Sequence, residues 1–192
     1  MERIRTSGWA FVWLAVMILI LPLQWICAAV IAAAFHECCH IVAIRLCGGR
    51  IHGIRITGNG ASLKIDMLSQ WQELCCSLAG PLGSFLLLFT AKLFPRLAVC
   101  ALFHGLYNLL PVYPMDGGRA LRCFLSQLLG EERSEPVCLR IEKLLLILLF
   151  VAGFYAFLVL RIGIFPVFLA GIVICKANIR KFPCKDGLWR VQ

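Results

Sequence analysis

The sequence has few charged residues, and this scarcity excludes most classes of soluble protein. Only 15% of the 192 residues are charged and just ten are acidic, whereas 61% are hydrophobic. The mean hydropathy of +0.87 is far above that of ordinary soluble domains. This composition predicts an integral membrane protein.

Two further features are missing from the sequence. No two of its 11 cysteines have the C-x-x-C spacing of a structural zinc site. Most of the cysteines fall in apolar runs, where we expect them to pack as small hydrophobic residues. The net charge of +9 is not gathered into a basic patch interleaved with aromatic residues, so we expect no nucleic-acid partner.

The longest apolar stretch, residues 9–46, is too long for one membrane span. As a single helix it would be about 57 Å long, whereas the hydrocarbon core of a bilayer is about 30 Å thick. We therefore predict two spans with a turn near Pro22. Four more apolar segments follow at residues 74–94, 97–111, 144–160 and 162–175. The predicted fold is a single all-α membrane domain over residues 1–192, with about six transmembrane helices.

The positions of the basic residues give the predicted orientation of these spans. With six spans and both termini in the cytoplasm, 16 of the 19 Lys and Arg residues lie on the cytoplasmic side. Only Lys92, Arg96 and Arg161 lie on the other side. Because cytoplasmic loops are enriched in Lys and Arg, we predict a multi-pass protein with both termini cytoplasmic.

Residues 36–40 spell H-E-x-x-H inside the second predicted span. On a helix this spacing places His36 and His40 on one face, where they can bind one zinc ion, with Glu37 beside them as a general base. Ionisable groups at membrane depth are costly and usually functional. The motif therefore indicates a metalloprotease that works within the bilayer.

A catalytic zinc site needs a third protein ligand and an open position for water. The best candidate is Asp116, which follows the fourth predicted span and lies at the same cytoplasmic side as the histidines. Pro111 and Pro114 should unwind the end of that span, and unwound backbone at membrane depth is tolerated where it lines a cavity. Gly117 and Gly118 should permit a turn and close approach.

These motifs resemble those of the site-2 proteases, a family of intramembrane zinc metalloproteases. The family pairs an H-E-x-x-H helix with a later N-x-x-P-x-x-x-D-G segment, which corresponds here to Asn108 through Gly117, with Met115 where Leu is usual. A third match is Ala79-Gly80-Pro81. Together the motifs cover a catalytic core of about residues 24–120. The stretch NLLPVYPMDGG is most similar to the branch of stage IV sporulation protein FB.

The resemblance implies a fuller set of expectations. One Zn²⁺ per chain would be held by His36, His40 and Asp116, and Asn108, Pro111 and Gly117 would lie at the substrate cleft. The substrate would be a membrane-associated protein, in this branch a pro-sigma factor during sporulation, cut near the cytoplasmic face of a bacterial cell membrane. Regulatory membrane proteins would be further partners. Residues 41–107 leave no room for the PDZ domain that other relatives carry at this point.

Two segments outside the spans are expected to have structure of their own. Residues 54–57 and 62–65 alternate around Gly58-Asn59-Gly60, which predicts a small cytoplasmic-side β-hairpin between the second and third spans. Its edge could pair with an extended substrate, or the hairpin could only cap the bundle. Residues 119–129 read as an amphipathic surface helix that ends at Gly130, followed by a solvated loop at residues 131–136.

Other interpretations stay open at this stage. Intramembrane His and Asp residues could also belong to a metal transporter or sensor, which would not need Glu37 as a general base. An inactive scaffold is a third reading. His104 lies four residues before Asn108 and is either a residue that supports the site or an ordinary histidine of the bundle. The sequence does not indicate the oligomeric state.

Overall fold

The computed structural model describes residues 22–57, 60–65, 68–159, 161, 170–171, 173–174 and 188–191. The first predicted span, and nearly all of the last, lie outside these residues. The described elements are α1 (Leu23–Leu46), β1 (Ile51–Thr57), β2 (Gly60–Ile65), α2 (Gln70–Leu86), a 3₁₀ helix (Leu87–Thr90), α3 (Pro95–Asn108), α4 (Asp116–Leu129), α5 (Glu131–Leu158) and β3 (Leu188–Val191).

Three helical segments in the described part of the chain are long and apolar enough to cross a membrane. They are Leu23–Leu46, Gln70–Thr90 and Glu131–Leu158. This agrees with an integral membrane protein. The fourth predicted span corresponds to α3, whose 14 residues would reach only about 21 Å at 1.5 Å per residue. The number of six spans and the orientation of the termini stay predictions.

Helix α1 begins directly after Pro22, the predicted turn. Its buried residues are spaced by four and form one stripe along the helix: Ala28, Ala32, His36, His40 and Ile44. The large apolar residues of α1, such as Val30 and Ile31, are exposed. Apart from Ile44, small and polar residues thus face the protein interior, and the large apolar residues that are exposed face outward, as is usual for helices that pack within a bilayer.

Helix α2 packs against α1 and starts with a capping box. The Ser69 side chain accepts from the Gln72 backbone N–H, and the Gln72 side chain accepts from the Ser69 backbone N–H. The Gln72 amide also donates to the Cys47 carbonyl over 2.9 Å, which connects the start of α2 to the end of α1. Gly83 allows close contact, since a Cβ there would overlap the Cys39 side chain.

A three-stranded antiparallel sheet follows α1. Strands β1 and β2 pair with Ile54 opposite Leu63, and β3 pairs with β2 with Ala61 opposite Val191, giving the order β1-β2-β3. The third strand comes from the far end of the sequence and was not predicted. It covers one edge of β2, so in the described sheet the outer edges belong to β1 and β3.

The region that begins at Asp116 differs from the prediction. Helix α4 begins at Asp116, three residues earlier than predicted, and the predicted solvated loop at residues 131–136 is instead the start of α5. The loop prediction was wrong because Ser134 is buried: its hydroxyl lies 2.9 Å from that of Ser126 on α4 and donates to the Glu131 carbonyl. These contacts hold the first turn of α5 against α4.

Candidate metal centre

Three side chains from two distant parts of the chain meet in the interior. The Nε2 atoms of His36 and His40 lie 3.0 and 3.1 Å from the Oδ2 atom of Asp116, and 3.1 Å from each other. All three residues are buried. They form a group that could hold a metal ion.

The spacing of these three atoms fits a zinc ion. Atoms separated by 3.0 to 3.1 Å lie on a circle of radius about 1.8 Å, so a point just off their plane is about 2.0 to 2.1 Å from all three. That is the bond length that zinc takes to imidazole nitrogen and carboxylate oxygen. Two neutral imidazoles and one carboxylate also form a donor set of a kind found in catalytic zinc sites.

Helix α2 holds both imidazoles by their other nitrogen atoms. His40 Nδ1 donates to the Cys76 carbonyl oxygen over 2.7 Å, and His36 Nδ1 lies 2.9 Å from the Ser84 hydroxyl. Hydrogen bonds at Nδ1 fix the ring orientation and leave Nε2 as the lone-pair donor, which is the usual support for metal-binding histidines. Neither Ser84 nor Cys76 was predicted as a site residue, since neither belongs to a metal-ligand motif.

Helix α2 comes very close to the two histidines at Gly80. A Cβ at this position would overlap the His40 ring and lie 2.6 Å from His36 Nε2. Only glycine therefore lets the α2 backbone pass directly over the imidazoles. The sequence had pointed to this residue only through its match to the A-G-P motif.

Glu37 lies beside the group, one residue from His36. Its Oε2 atom is buried and has no hydrogen-bond partner within the part of the chain that the structure describes. A carboxylate held in this way is available to accept a proton.

Asp116 is positioned by a tight turn between α3 and α4. It is the first residue of α4, and a Cβ on the next residue, Gly117, would overlap the Leu109 backbone carbonyl. Gly118 is also close to backbone, since a Cβ there would overlap the carbonyl group of Val112. Pro111 lies in this turn and is half-buried, and the location of Pro111 and Gly117 at a substrate cleft stays a prediction.

Asn108, at the end of α3, is buried. Among the described hydrogen bonds, none joins it to the three candidate ligands. Its Nδ2 atom lies 3.1 Å from His104 Nε2. The His104 ring in turn meets the His36 ring edge to face, with the ring centroids 4.6 Å apart. From the sequence, His104 was expected to be either a residue that supports the site or an ordinary histidine of the bundle.

The fold and this group together define a membrane-embedded helical protein with a buried His-His-Asp centre. The chain belongs to the Peptidase M50B-like family, whose sequence profile matches residues 9–113, more than half of its length. A second profile, Peptidase family M50, matches residues 88–151. The two matches together include all the candidate site residues.

A similar curated protein and a similar solved structure both come from Methanocaldococcus jannaschii. A zinc metalloprotease of this organism is 30% identical over 137 residues, which cover 64% of this chain and 40% of that protein. The chain thus spans about two fifths of the length of this curated relative. The solved structure of a site-2 protease from the same organism matches with a TM-score of 0.64 and 25% identity, over 91% of this chain and 87% of the solved one.

Proposed function

We propose that this protein is an intramembrane zinc metalloendopeptidase that cuts a membrane-associated protein. One observation carries the proposal: the two Nε2 atoms and the Asp116 oxygen lie within 3.1 Å of one another while Ser84 and Cys76 hold both Nδ1 atoms. Such an arrangement suits a metal ion better than an ordinary hydrogen-bond network. The zinc metalloprotease from M. jannaschii supports the choice of metal.

Each residue has a defined role in this proposal. His36, His40 and Asp116 hold one Zn²⁺ per chain, and the bound ion would polarise the scissile carbonyl and favour ionisation of water. Glu37 takes the proton from the attacking water and delivers it to the leaving amine. Asn108, Pro111 and Gly117 lie at the substrate cleft, where Asn108 orients the substrate or a bound water.

The substrate and the setting are inferred from the motif branch and from the basic residues. The resemblance of NLLPVYPMDGG to the branch of stage IV sporulation protein FB suggests a pro-sigma factor during sporulation, with membrane proteins as regulators. The proposed form is a single domain over residues 1–192 with six spans, multi-pass in a bacterial cell membrane. With both termini cytoplasmic, as the basic residues suggest, cleavage would occur near the cytoplasmic face.

The test is to co-express the full chain with membrane-tethered candidate pro-proteins and compare it with Glu37→Gln. We expect the variant to keep its zinc, because Glu37 is not among the three ligands, and to lose cleavage by at least about 100-fold, because general-base catalysis contributes about that much. Cleavage that persists in the variant would remove the proposed mechanism. The zinc content of both proteins is measured on the same preparations.

The same variant separates the alternative function, a metal transporter or sensor. That alternative is favoured by the burial of two histidines and an aspartate within an apolar bundle. Metal uptake or sensing requires no general base, so Glu37→Gln should leave it intact. If the unmodified chain and the Glu37→Gln variant move zinc across vesicles equally well, and neither cleaves a substrate, the protein is a transporter.

A further inference from the structure

One polar residue beside the metal centre, His104, has no role in the proposed reaction. His104 and Asn108 lie four residues apart on α3 and are joined by a hydrogen bond of 3.1 Å. The amide Nδ2 atom can only donate, so His104 Nε2 must be the acceptor. Neutral His104 therefore carries its proton on Nδ1.

This hydrogen bond fixes the plane of the Asn108 amide. With Nδ2 turned to His104, the other end of the amide, Oδ1, is buried and has no hydrogen-bond partner among the described residues. Asn108 itself is only 2% exposed. A buried acceptor without a partner is rare in folded proteins because its desolvation is not compensated.

The pair lies directly against the metal centre. The His104 ring meets the His36 ring edge to face at 4.6 Å, with an angle of 89° between the planes. The next residue, Gly105, brings α3 onto α2 at the point where Ser84 supports His36, since a Cβ on Gly105 would lie 3.0 Å from Ser84 Cβ. The position of α3 and the orientation of the His36 ring therefore depend on each other.

We infer that His104 is a positioning residue that acts through Asn108. By accepting the Nδ2 hydrogen, His104 turns the amide so that its Oδ1 atom can accept a hydrogen bond from a backbone N–H of the bound substrate. A peptide substrate supplies N–H donors at every residue except proline. The inference rests on the proposed function, because it assigns the acceptor to the substrate of that same centre.

Four variants of the full chain test the inference: His104→Phe, His104→Gln, Asn108→Ala, and His104→Phe combined with Asn108→Ala. Phe keeps a ring against His36 but cannot accept a hydrogen bond, whereas the Gln side-chain oxygen can replace Nε2 as an acceptor. The probes are a peptidyl hydroxamate and acetohydroxamate. Both compounds bind zinc, but only the first has peptide N–H groups.

We expect His104→Phe to weaken the peptidyl hydroxamate about tenfold, as for loss of one hydrogen bond, and to leave acetohydroxamate within about twofold. His104→Gln should restore most of the affinity. The double variant should be no weaker than Asn108→Ala alone, because both changes remove the same interaction. Equal weakening of both probes, unchanged binding in His104→Phe, or losses that multiply in the double variant would overturn the inference.

A second measurement does not depend on zinc or on binding. In NMR spectra of a chain with ¹⁵N-labelled histidine, the signals that are missing from the His104→Phe variant belong to His104. The His104 Nε2 signal should be that of an unprotonated nitrogen, and it should shift in Asn108→Ala. A protonated Nε2 would mean that the amide is turned the other way, and the inference would fail. If acetohydroxamate does not bind the unmodified zinc-treated chain, the proposed function fails instead, which separates the two outcomes.

Discussion

Helices α1 and α5 are both apolar enough to cross a membrane, yet they bury different things. Helix α1 buries His36 and His40 in one stripe with Ala28, Ala32 and Ile44, and large apolar residues such as Val30 and Ile31 on its other faces are exposed. Helix α5 is longer. The leucines on its outer face are exposed, for example Leu144 at 68% and Leu148 at 64%, whereas Leu145, Leu146 and Leu149 are partly buried in an apolar cluster. Hydropathy thus identifies a span, but the residues that a span buries tell whether it carries a site.

The two helices also differ in how they are held. On α1, each buried histidine has a hydrogen-bond partner on α2 and another on α4. On α5, the described polar contacts to α4 are near its start, through Ser134 and Glu135. If this comparison is correct, substitutions at the α1 contacts should affect metal binding, and substitutions on the outer face of α5 should not. Four predictions test this, from the largest expected effect to the smallest.

Replacing the third candidate ligand should have the largest effect. Asp116→Ala removes one of three ligand atoms, so we expect the zinc affinity to fall by more than about 100-fold. This loss is larger than the loss of zinc affinity that follows substitution of a residue supporting a ligand. Zinc per chain is measured after dialysis of the purified protein. The matched control is Glu135→Ala, which removes an exposed carboxylate paired with Arg122. Full zinc content in Asp116→Ala would show that another residue completes the centre.

Adding one methyl group at Gly80 should disturb the same centre from α2. A Cβ there would overlap the His40 ring, so Gly80→Ala must push the imidazoles or the helix aside at a cost of about 1 to 3 kcal/mol. We expect lower thermal stability and reduced zinc content.

Gly171→Ala is the control for this change, because a Cβ at Gly171 has no atom within 4 Å among the described residues. The comparison is made by unfolding in detergent, with and without added zinc. If the two alanine variants have the same thermal stability and the same zinc content, the close contact between Gly80 and the histidines is contradicted.

Removing the Ser84 hydroxyl should weaken metal binding without abolishing it. Ser84→Ala deletes the partner of His36 Nδ1, and loss of such a supporting group typically costs about 10- to 100-fold in metal affinity. The measurement is a competitive zinc titration. Ser126→Ala is a matched control, since it also removes a hydroxyl contact, that to Ser134, and should leave zinc affinity unchanged. The comparison fails if both variants lose affinity equally.

A substitution on the outer face of α5 should have the smallest effect. Leu148→Ala shortens a side chain that is 64% exposed, so neither the packing of the centre nor its hydrogen bonds change. We expect full zinc content and substrate cleavage within about twofold of the unmodified chain. A large loss of activity would mean that α5 contributes to the centre in a way that its described contacts do not reveal.

The ligand group was predictable from the sequence because each residue belongs to a motif with a fixed spacing. His36 and His40 follow from the helical repeat, and Asp116 follows from the need for a third ligand at the same depth. The supporting atoms were not predictable, since the Cys76 carbonyl and the Ser84 hydroxyl act through tertiary contacts that no local pattern encodes. The same limit explains why the start of α5 was predicted as a loop: its charged residues indicate solvent, while the burial of Ser134 depends on α4.

Helix α2 contributes no ligand, yet it lies between the two histidines and the later aspartate in the order of synthesis. Asp116 follows His36 by 80 residues. Since membrane chains are made from the N-terminus onward, the histidines enter the bilayer long before their carboxylate partner exists. Contacts to Ser84 and to the Cys76 carbonyl on α2 can already form at that stage. The metal centre is therefore completed late, and the newly made chain stays without its full set of ligands until α4 has been synthesised.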